Sequence, residues 1–364
     1  MKTRRIAVLP GDGIGPEVIA EGVRVLRAAE QLVPGDRFAL EEFSVGACEF
    51  LRSGDPLPPK TLARIGECDA VLLGAMGLPD VRWPNGVEMA PQLDLREHFD
   101  LYAGIRPIFL FHPDDSPLKS DKAGAIDLVI VRESTEGLFS SRKGTSAYSD
   151  PEARDTMRIT RRTSERLFRA AFRLAATRRK HVTLVDKANV LPSMAYFRAI
   201  FDEVAREFPN IATDRIYVDA AALYLVERPH TFDVLVTENM FGDILSDLAA
   251  GLVGGMGMAP SADIGDSFAV FQPAHGSAPS IAGRGSANPV ATILSVAMML
   301  DWFQAPERAG LIRRAVRWVF AHKEMRTAEM GGSLGTRAMA GAILESMAEG
   351  APAGESIDTW TGGR

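Results

Sequence analysis

The sequence predicts an α/β fold built on a largely parallel sheet. Short runs rich in Val, Ile and Leu, with few polar residues between them, are typical of strands buried on both faces. Longer segments with apolar residues at helical spacing separate these runs, and this alternation favours a sheet covered by helices. The predicted strands, in chain order, are Ile6–Leu9, Ala70–Leu73, Ile126–Val131, Val182–Val185 and Asp233–Val236.

The predicted helices lie between and after these strands. Asn288 and Pro289 mark one helix start, because Asn is a favoured N-cap and Pro fits the first helical position. In order, the predicted helices are Glu17–Leu32, Thr160–Thr177, Met194–Glu207, Asp243–Leu252, Ala291–Phe303, Arg308–His322 and Thr336–Met347.

Length and composition limit the functional class. A chain of 364 residues predicts two domains or one large α/β unit. The 41 basic and 47 acidic residues give a net charge of −6, so we expect no nucleic-acid or membrane partner. The chain has neither a signal-peptide pattern nor an apolar run of membrane-spanning length, and Cys48 and Cys68 are its two cysteines. We therefore expect a cytoplasmic location.

A glycine-rich turn, GDGIGPE, follows the first predicted strand. Gly11, Gly13 and Gly15 resemble a dinucleotide-binding fingerprint, but Pro16 stands where the spacing requires the third glycine. The residues therefore favour a tight strand-to-helix turn over a Rossmann pyrophosphate loop.

Three arginines are candidates for binding carboxylates. Arg96 and Arg106 lie in DLREHFDLYAGIRP, and Arg132 directly follows a predicted strand. Ligands of open α/β sheets bind at the carboxyl ends of strands, and guanidinium groups bind carboxylates in bidentate fashion. Ordinary surface ion pairs are the alternative for each.

Asp243 and Asp247 lie four residues apart on a predicted helix. This spacing places two like charges on one helix face, which a Mg²⁺ or Mn²⁺ ion would neutralise. A solvated acidic face is the alternative.

Lys187 follows another strand and is a candidate general base, whereas Asp219 is a candidate helix cap. His275 lies in a loop of small residues that would let a nucleotide approach the backbone.

Seven motifs together resemble the β-decarboxylating dehydrogenases, the family that contains 3-isopropylmalate, isocitrate, homoisocitrate and tartrate/D-malate dehydrogenases. They occur in the family's order over nearly the whole chain, as GDGIGPE, LR–IRP, VRESTEG, DKANVL, YVDA, NMFGDILSD and HGSAP–AG–G–ANP. The 3-isopropylmalate and tartrate/D-malate members are the most similar.

The resemblance implies an isopropylmalate dehydrogenase-like fold, which is not a Rossmann fold, with two domains around a large, mostly parallel sheet. Residues 1–101 and 254–364 would form a cofactor-binding domain, and residues 102–253 a central domain for dimerisation, metal and substrate. It also implies a homodimer whose active sites are shared between subunits.

The resemblance further implies a role for each matching residue. Arg96, Arg106 and Arg132 would bind the substrate carboxylates, and Asp243 and Asp247 the metal. The partner subunit's Asp219 and the partner subunit's Lys187 would complete the metal site and the acid–base chemistry. The cofactor would contact His275, Gly276, Ser277, Ala278, Ser280 and Asn288.

The implied reaction is metal-dependent oxidative decarboxylation of a (2R)-malate-type acid. A 3-alkylmalate such as 3-isopropylmalate is the leading substrate, with tartrate or D-malate as the alternative. A non-catalytic regulatory paralogue is the alternative from another class, because Phe139 stands where the family usually has a tyrosine that helps protonate the enolate. Tyr148, Ser140 or a water are candidate replacements.

Two further departures concern cofactor and substrate. Ser280 replaces the aspartate with which NAD-using members hold the ribose, which weakens the preference for NAD over NADP. The lysine–tyrosine pair of typical NADP-using isocitrate enzymes is also absent, because Ser280 and Ile281 stand there, so we expect NAD, with NADP as the alternative. Before Arg96, Ala90 and Gln92 differ from the Ser and Asn of isocitrate enzymes, and Met89, Gln92 and Leu93 match isopropylmalate enzymes only in part. We therefore expect a substrate pocket of mixed polarity.

Overall fold

A ten-stranded sheet forms the centre of the computed structural model, which describes residues 1–118, 126–144 and 150–350. The spatial order of its strands is β2-β1-β3-β10-β9-β4-β5-β8-β6-β7. Their bounds are β1 Thr3–Gly11, β2 Arg37–Glu42, β3 Ala70–Ala75, β4 Ala103–Phe109, β5 Asp127–Glu133, β6 His181–Asp186, β7 Ala212–Tyr217, β8 Val234–Thr237, β9 Pro260–Ile264 and β10 Ala269–Pro273.

Helices cover both faces of this sheet. Those in the described ranges are α1 Gly15–Leu32, α2 Ala47–Ser53, α3 Pro59–Ile65, α4 Pro91–His98, α5 Arg161–Ala176, α6 Pro192–Ala205, α7 Val218–Glu227, α8 Asn239–Gly251, α9 Val290–Trp302, α10 Pro306–Phe320 and α11 Thr336–Ala348. None of the helices in this part of the chain is long and apolar enough to cross a membrane.

The sheet consists of two parallel blocks joined by antiparallel strands. β2, β1, β3 and β10 form one block, and β5, β8, β6 and β7 form the other. β9 and β4 lie between the blocks, and β9–β10, β9–β4 and β4–β5 are the antiparallel pairs. The predicted mixed, mostly parallel sheet is confirmed, whereas the predicted division into residues 1–101 with 254–364 and residues 102–253 stays a prediction.

The predicted strands and helices are all present, with ends shifted by a few residues. The sequence pattern did not predict β4 and β9, because polar residues or a proline interrupt the apolar run of each strand. Arg106 and Pro107 lie in β4, and Asp263 lies in β9. One helix start was also misplaced. α9 begins at Val290 with Pro289 as its N-cap, so Asn288 lies one residue earlier, although its Oδ1 still accepts a hydrogen bond from the Val290 amide at 3.2 Å.

The glycine-rich turn packs against the loop that contains His275. Gly13 has a φ of +58°, and a Cβ there would lie 1.9 Å from the carbonyl oxygen of Ser277. The Ile14 amide donates a hydrogen bond of 2.8 Å to that same oxygen. Glycine is therefore required at position 13, because only a residue without a side chain allows the two loops to touch.

Candidate active site

The three predicted arginines line one cavity of about 200 Å³ between the two blocks of the sheet. Arg96 comes from α4, Arg106 from β4 and Arg132 from β5. All three side chains are buried. Asp243 of α8 and His275 line the same cavity. Residues far apart in the sequence thus form a pocket that presents several positive charges to a ligand.

α8 holds Arg132 in place. Arg132 donates from Nε and Nη2 to Asn239 Oδ1, at 3.0 and 2.7 Å, and its Nη1 pairs with Asp243. This approach requires Gly242, because a Cβ there would lie 2.7 Å from the Arg132 side chain. The guanidinium also lies 5.3 Å from the centre of the Phe139 ring. One face of α8 therefore fixes both the guanidinium group of Arg132 and the carboxylate of Asp243, which is predicted to bind the metal.

Asp263 of β9 is the buried counter-charge for the other arginines. Its Oδ2 lies 3.0 Å from Arg96 Nε and accepts a hydrogen bond of 2.7 Å from Gln272 Nε2. Arg106 is equally buried. The Nε atoms of Arg96 and Arg106 both lack a hydrogen-bond partner among the described residues, so Arg96 meets Asp263 as an ion pair only. A buried donor without a partner is unfavourable by roughly 1–3 kcal/mol, so both arginines are arranged for a ligand rather than for the empty protein.

Burial and mutual repulsion shape the charges of this cluster. Burial, followed by the charge of Arg96, lowers the pKa of Arg132 to about 10. Burial alone would raise the pKa of Asp263, but Arg96, Arg106 and Arg132 together lower it. Arg132 thus remains cationic near neutral pH, as binding of a diacid requires.

Asp243 lines the cavity, and Asp247 lies close enough to interact with its charge, but Asp219 does not join them. Burial, followed by the charge of Asp243, raises the pKa of Asp247. A pair of neighbouring carboxylates, one of which is harder to ionise because of the other, suits a hard divalent cation. No group of three His, Cys, Asp or Glu side chains suited to a metal occurs within the ranges that the structure describes. One chain therefore offers two of the three predicted ligands.

Lys187 and Asp219 form a separate pair. Lys187 Nζ donates to Asp219 Oδ1 at 2.5 Å, and neither residue lines the arginine cavity of its own chain. The ammonium group of Lys187 lowers the pKa of Asp219. Asp219 lies in the first turn of α7, with its side chain 68% exposed, so the pair faces outward from the subunit.

The predicted cofactor residues form the loop on the opposite side of the cavity. His275 and Gly276 line it, and Ser277 is buried beneath the glycine-rich turn. His275 Nε2 is buried with no hydrogen-bond partner in the described part of the chain, and burial lowers the pKa of this histidine. Ala278 adopts a φ of +38°, which is unusual for a residue with a side chain.

The remaining predicted cofactor residues differ in exposure. Ser280 is exposed, so it is accessible to a ligand. Asn288 is buried, and its Nδ2 lies 3.4 Å from the sulfur of Met258. Asn288 thus shapes the end of the loop from within, whereas Ser280 is a surface position.

Phe139 lines the cavity and brings no hydroxyl group to it. Of the candidate replacements, Ser140 donates its hydroxyl hydrogen to the carbonyl oxygen of Gly137 at 2.9 Å, and Tyr148 lies outside the described residues. Sequence reasoning missed Asn239 and Asp263, the two side chains that hold the arginines. An acidic residue inside the short apolar stretch of β9 was the signal that could have indicated Asp263.

Comparison with known proteins places this site in a family. A profile described as isocitrate/isopropylmalate dehydrogenase matches residues 5–343. A 3-isopropylmalate dehydrogenase of Moorella thermoacetica is 46% identical over 95% of this chain and 99% of its own length.

Solved structures give the same result. An isocitrate dehydrogenase of Methylococcus capsulatus has a TM-score of 0.85 and 38% identity, covering 94% of this chain and 99% of that one. A β-decarboxylating dehydrogenase of Thermococcus kodakarensis in its apo form has a TM-score of 0.79 and 40% identity, covering 95% and 96%. The chain therefore belongs to the isocitrate/isopropylmalate dehydrogenase family and is a decarboxylating dehydrogenase.

Proposed function

We propose that this enzyme catalyses the metal-dependent oxidative decarboxylation of a (2R)-malate-type 2-hydroxy diacid, with transfer of a hydride to NAD, or to NADP as the alternative. The observation that supports this most strongly is the cavity in which Arg96, Arg106 and Arg132 meet Asp243. Arginine forks bind carboxylates, and oxygen ligands bind Mg²⁺ or Mn²⁺.

The charges of the site agree with this substrate class. The positive charges of the three arginines are balanced by the negative charges of Asp243, Asp247 and Asp263. A divalent cation would add two positive charges, which a substrate with two carboxylates would neutralise. Such a cation would polarise the C2 hydroxyl group as a Lewis acid, and the nicotinamide ring would accept the hydride.

The proposed roles of the chain's own residues follow from their positions. The arginines would bind and orient the substrate carboxylates, and Asp243 and Asp247 would hold the cation. Lys187 would take the C2 hydroxyl proton directly or through water, with Asp219 keeping its Nζ in place at 2.5 Å. His275, Gly276, Ser277, Ala278, Ser280 and Asn288 would hold the cofactor beside the cavity.

A homodimer with shared active sites is part of the proposal. Lys187 and Asp219 do not line the cavity of their own chain, so in this proposal a second copy supplies them. The surface of α7 and α8 supports this arrangement, because Leu223, Val226 and Ile244 are exposed large apolar residues. Cys48 and Cys68 are free thiols, in agreement with the proposed reducing, cytoplasmic location.

Two classes of substituent at C3 remain candidates. A 3-alkylmalate such as 3-isopropylmalate agrees with the name of the Moorella relative and with the apolar lining residues Leu73, Met76, Leu93 and Phe139. Tartrate or D-malate is the second candidate, and Gln92, a polar residue in the same lining, favours it.

The test is an assay of NAD⁺ and NADP⁺ reduction with Mn²⁺ on 3-isopropylmalate, D-malate, tartrate, isocitrate and homoisocitrate. We expect turnover of a malate-type acid with release of CO₂, abolished by chelation of the metal. A folded dimer that turns over none of these acids, or that remains active after chelation, would contradict the proposal.

A further inference from the structure

A second cavity lies at the amino edge of the sheet, away from the arginine cavity. It has a volume of about 310 Å³ and lies between the end of α1, the start of β2 and the turn from α9 to α10. The arginine cavity contains Gly74 and Ala75 from the carboxyl end of β3. Because β2 and β3 both run parallel to β1, the two cavities lie at opposite edges of the sheet. A ligand in the second cavity would therefore not meet the proposed substrate.

Arg308 brings a buried positive charge to this second cavity. The residue is 2% exposed, and its Nε and Nη1 donate hydrogen bonds to the carbonyl oxygens of Val33 and Asp36, at 2.9 and 2.6 Å. Among the described residues, no carboxylate lies within ion-pair distance of this guanidinium, and its Nη2 has no hydrogen-bond partner. The carbonyl groups at the end of α1 offer only about half a unit of negative charge. An anionic group of a ligand would supply the missing counter-charge.

An apolar wall faces this charge. Phe38 and Phe303 line the cavity, with 5.7 Å between their ring centres. The wall is completed by small or aliphatic residues, namely Val33, Pro34, Ala305 and Pro306. Such a wall suits an apolar group of the ligand, and an aromatic ring would gain further from contact with the two phenylalanines.

Glu307 adds an available negative charge to the lining. It precedes Arg308 in the first turn of α10, is exposed, and forms neither a hydrogen bond nor an ion pair with another residue in the described ranges. Asp36, the other acidic residue of the lining, is already engaged. Its carboxylate accepts hydrogen bonds from the Lys2 amide at 2.8 Å and from Arg4 Nε at 3.0 Å. Glu307 is therefore the carboxylate that can meet a cationic group of a ligand.

We propose that this second cavity binds an α-amino acid with an apolar side chain. The ligand's carboxylate would pair with Nη2 of Arg308, and its ammonium group would pair with Glu307. Its side chain would pack against Phe38 and Phe303. A zwitterion fits because the two available charges have opposite signs and belong to adjacent residues. The volume of about 310 Å³ is at the lower end of the range for small-molecule pockets, roughly 300–1,000 Å³.

Calorimetric titration of the full-length protein tests the ligand class with three probes. L-Phenylalanine carries both charges, 3-phenylpropanoate lacks the ammonium group, and 2-phenylethylamine lacks the carboxylate. We expect saturable binding of L-phenylalanine, at least about tenfold tighter than that of either fragment, because each fragment loses one charge-assisted pair. Glu307→Gln should weaken the binding of L-phenylalanine by a similar factor without weakening that of 3-phenylpropanoate. Because Glu307 is exposed, we expect this variant to fold normally.

Ala305→Trp tests the location of the site. Ala305 lines the cavity, so a tryptophan there should fill it and abolish the binding of L-phenylalanine. The matched control is Ala321→Trp, the same change at an exposed position just after α10, which should bind as the wild type does. Circular dichroism confirms that both variants are folded.

Three results would overturn the proposal. The first is a wild-type protein that binds none of the probes saturably. The second is equal binding of L-phenylalanine by Ala305→Trp and the wild type, which would place the ligand elsewhere, for example in the arginine cavity. The third is equal affinity for L-phenylalanine and 3-phenylpropanoate, since Glu307 would then contribute nothing.

Discussion

At the scale of single residues, Phe139 is the clearest departure from the family pattern. Its ring lines the cavity beside Arg132, with 5.3 Å between the ring centre and the guanidinium carbon, so a hydroxyl group on this ring would lie at the site. We predict that Phe139→Tyr raises the rate of CO₂ release, by up to the roughly 10²–10⁴-fold that general acids contribute.

CO₂ release and NADH formation should be measured together, because a rise in the first alone identifies the protonation step. Phe139→Leu is the matched control, since it alters the ring without adding a proton donor. An unchanged rate in a folded Phe139→Tyr variant would mean that another group already serves as the acid.

Asp247 is the residue at which metal binding is most directly tested. Burial and the charge of Asp243 raise the pKa of Asp247. A bound cation would therefore relieve the repulsion between these two carboxylates of α8. We predict that Asp247→Asn raises the Mn²⁺ concentration needed for half-maximal activity at least about tenfold, because one charged ligand is lost. Calorimetric titration with Mn²⁺ alone should show the same weakening, and an unaltered titration would contradict the assignment.

Glu133 predicts a pH dependence of stability. It is buried beside Arg132, accepts hydrogen bonds from the backbone amides of Thr135 and Glu136, and burial raises its pKa to about 7. A carboxyl group with a raised pKa binds its proton more tightly in the folded state. Its contribution is therefore fully present below its unfolded pKa and is lost as the pH rises through 7.

We expect the free energy of unfolding to fall by on the order of 1–3 kcal/mol from this group between pH 5 and 8. Urea titrations at several pH values should show a smaller slope for Glu133→Gln, whatever its absolute stability. Equal slopes for the variant and the wild type would contradict the prediction.

At the scale of elements, the contact between the glycine-rich turn and the His275 loop links the fold to the proposed cofactor site. A Cβ at Gly13 would lie 1.9 Å from the Ser277 carbonyl oxygen, in addition to the strain of a φ of +58°. We predict that Gly13→Ala displaces the loop and raises the KM for NAD⁺ about tenfold or more, with a smaller effect on the KM for the acid.

Gly54→Ala is the matched control, because Gly54 has a φ of +84° and open space around it. It should show only the cost of the left-handed backbone, about 1–2 kcal/mol of stability, with normal kinetics. If both variants had the same KM for NAD⁺, the contact would be structural only.

At the scale of the whole molecule, shared active sites can be tested by complementation. At a Mn²⁺ concentration that saturates the wild type but not the Asp247→Asn variant, Lys187→Ala and Asp247→Asn should each have little activity alone. If one chain supplies Asp247 and the partner supplies Lys187, a hybrid dimer has one intact site. Random assortment of the two variants should then restore about a quarter of wild-type activity.

Co-expression with two affinity tags isolates the hybrid, and sedimentation confirms that it is a dimer. A matched control combines two Lys187→Ala chains, which cannot complement each other. An isolated hybrid without activity would mean that each site is built from a single chain.

The sequence by itself determined the α/β class and most of the elements, and it predicted the residues that are proposed to carry the chemistry. The periodicity of apolar residues and the composition of a segment are local properties of a sequence. Glycines, prolines and apolar runs therefore predicted the turn before α1 and the strands β1, β3, β5, β6 and β8. The resemblance of the motifs to the family predicted the three arginines and the aspartates of α8 as site residues, whereas the residues alone left surface ion pairs and a solvated acidic face as alternatives.

Only the tertiary structure decided which of these residues meet. Arg96 and Asp263 are more than a hundred and fifty positions apart, and their contact depends on β9 pairing with β4 in antiparallel register. The separation of Lys187 and Asp219 from their own cavity, and the burial of Arg308 against the end of α1, likewise follow from packing. Side-chain surroundings are set by contacts between distant segments, and the local pattern of a sequence carries no record of them.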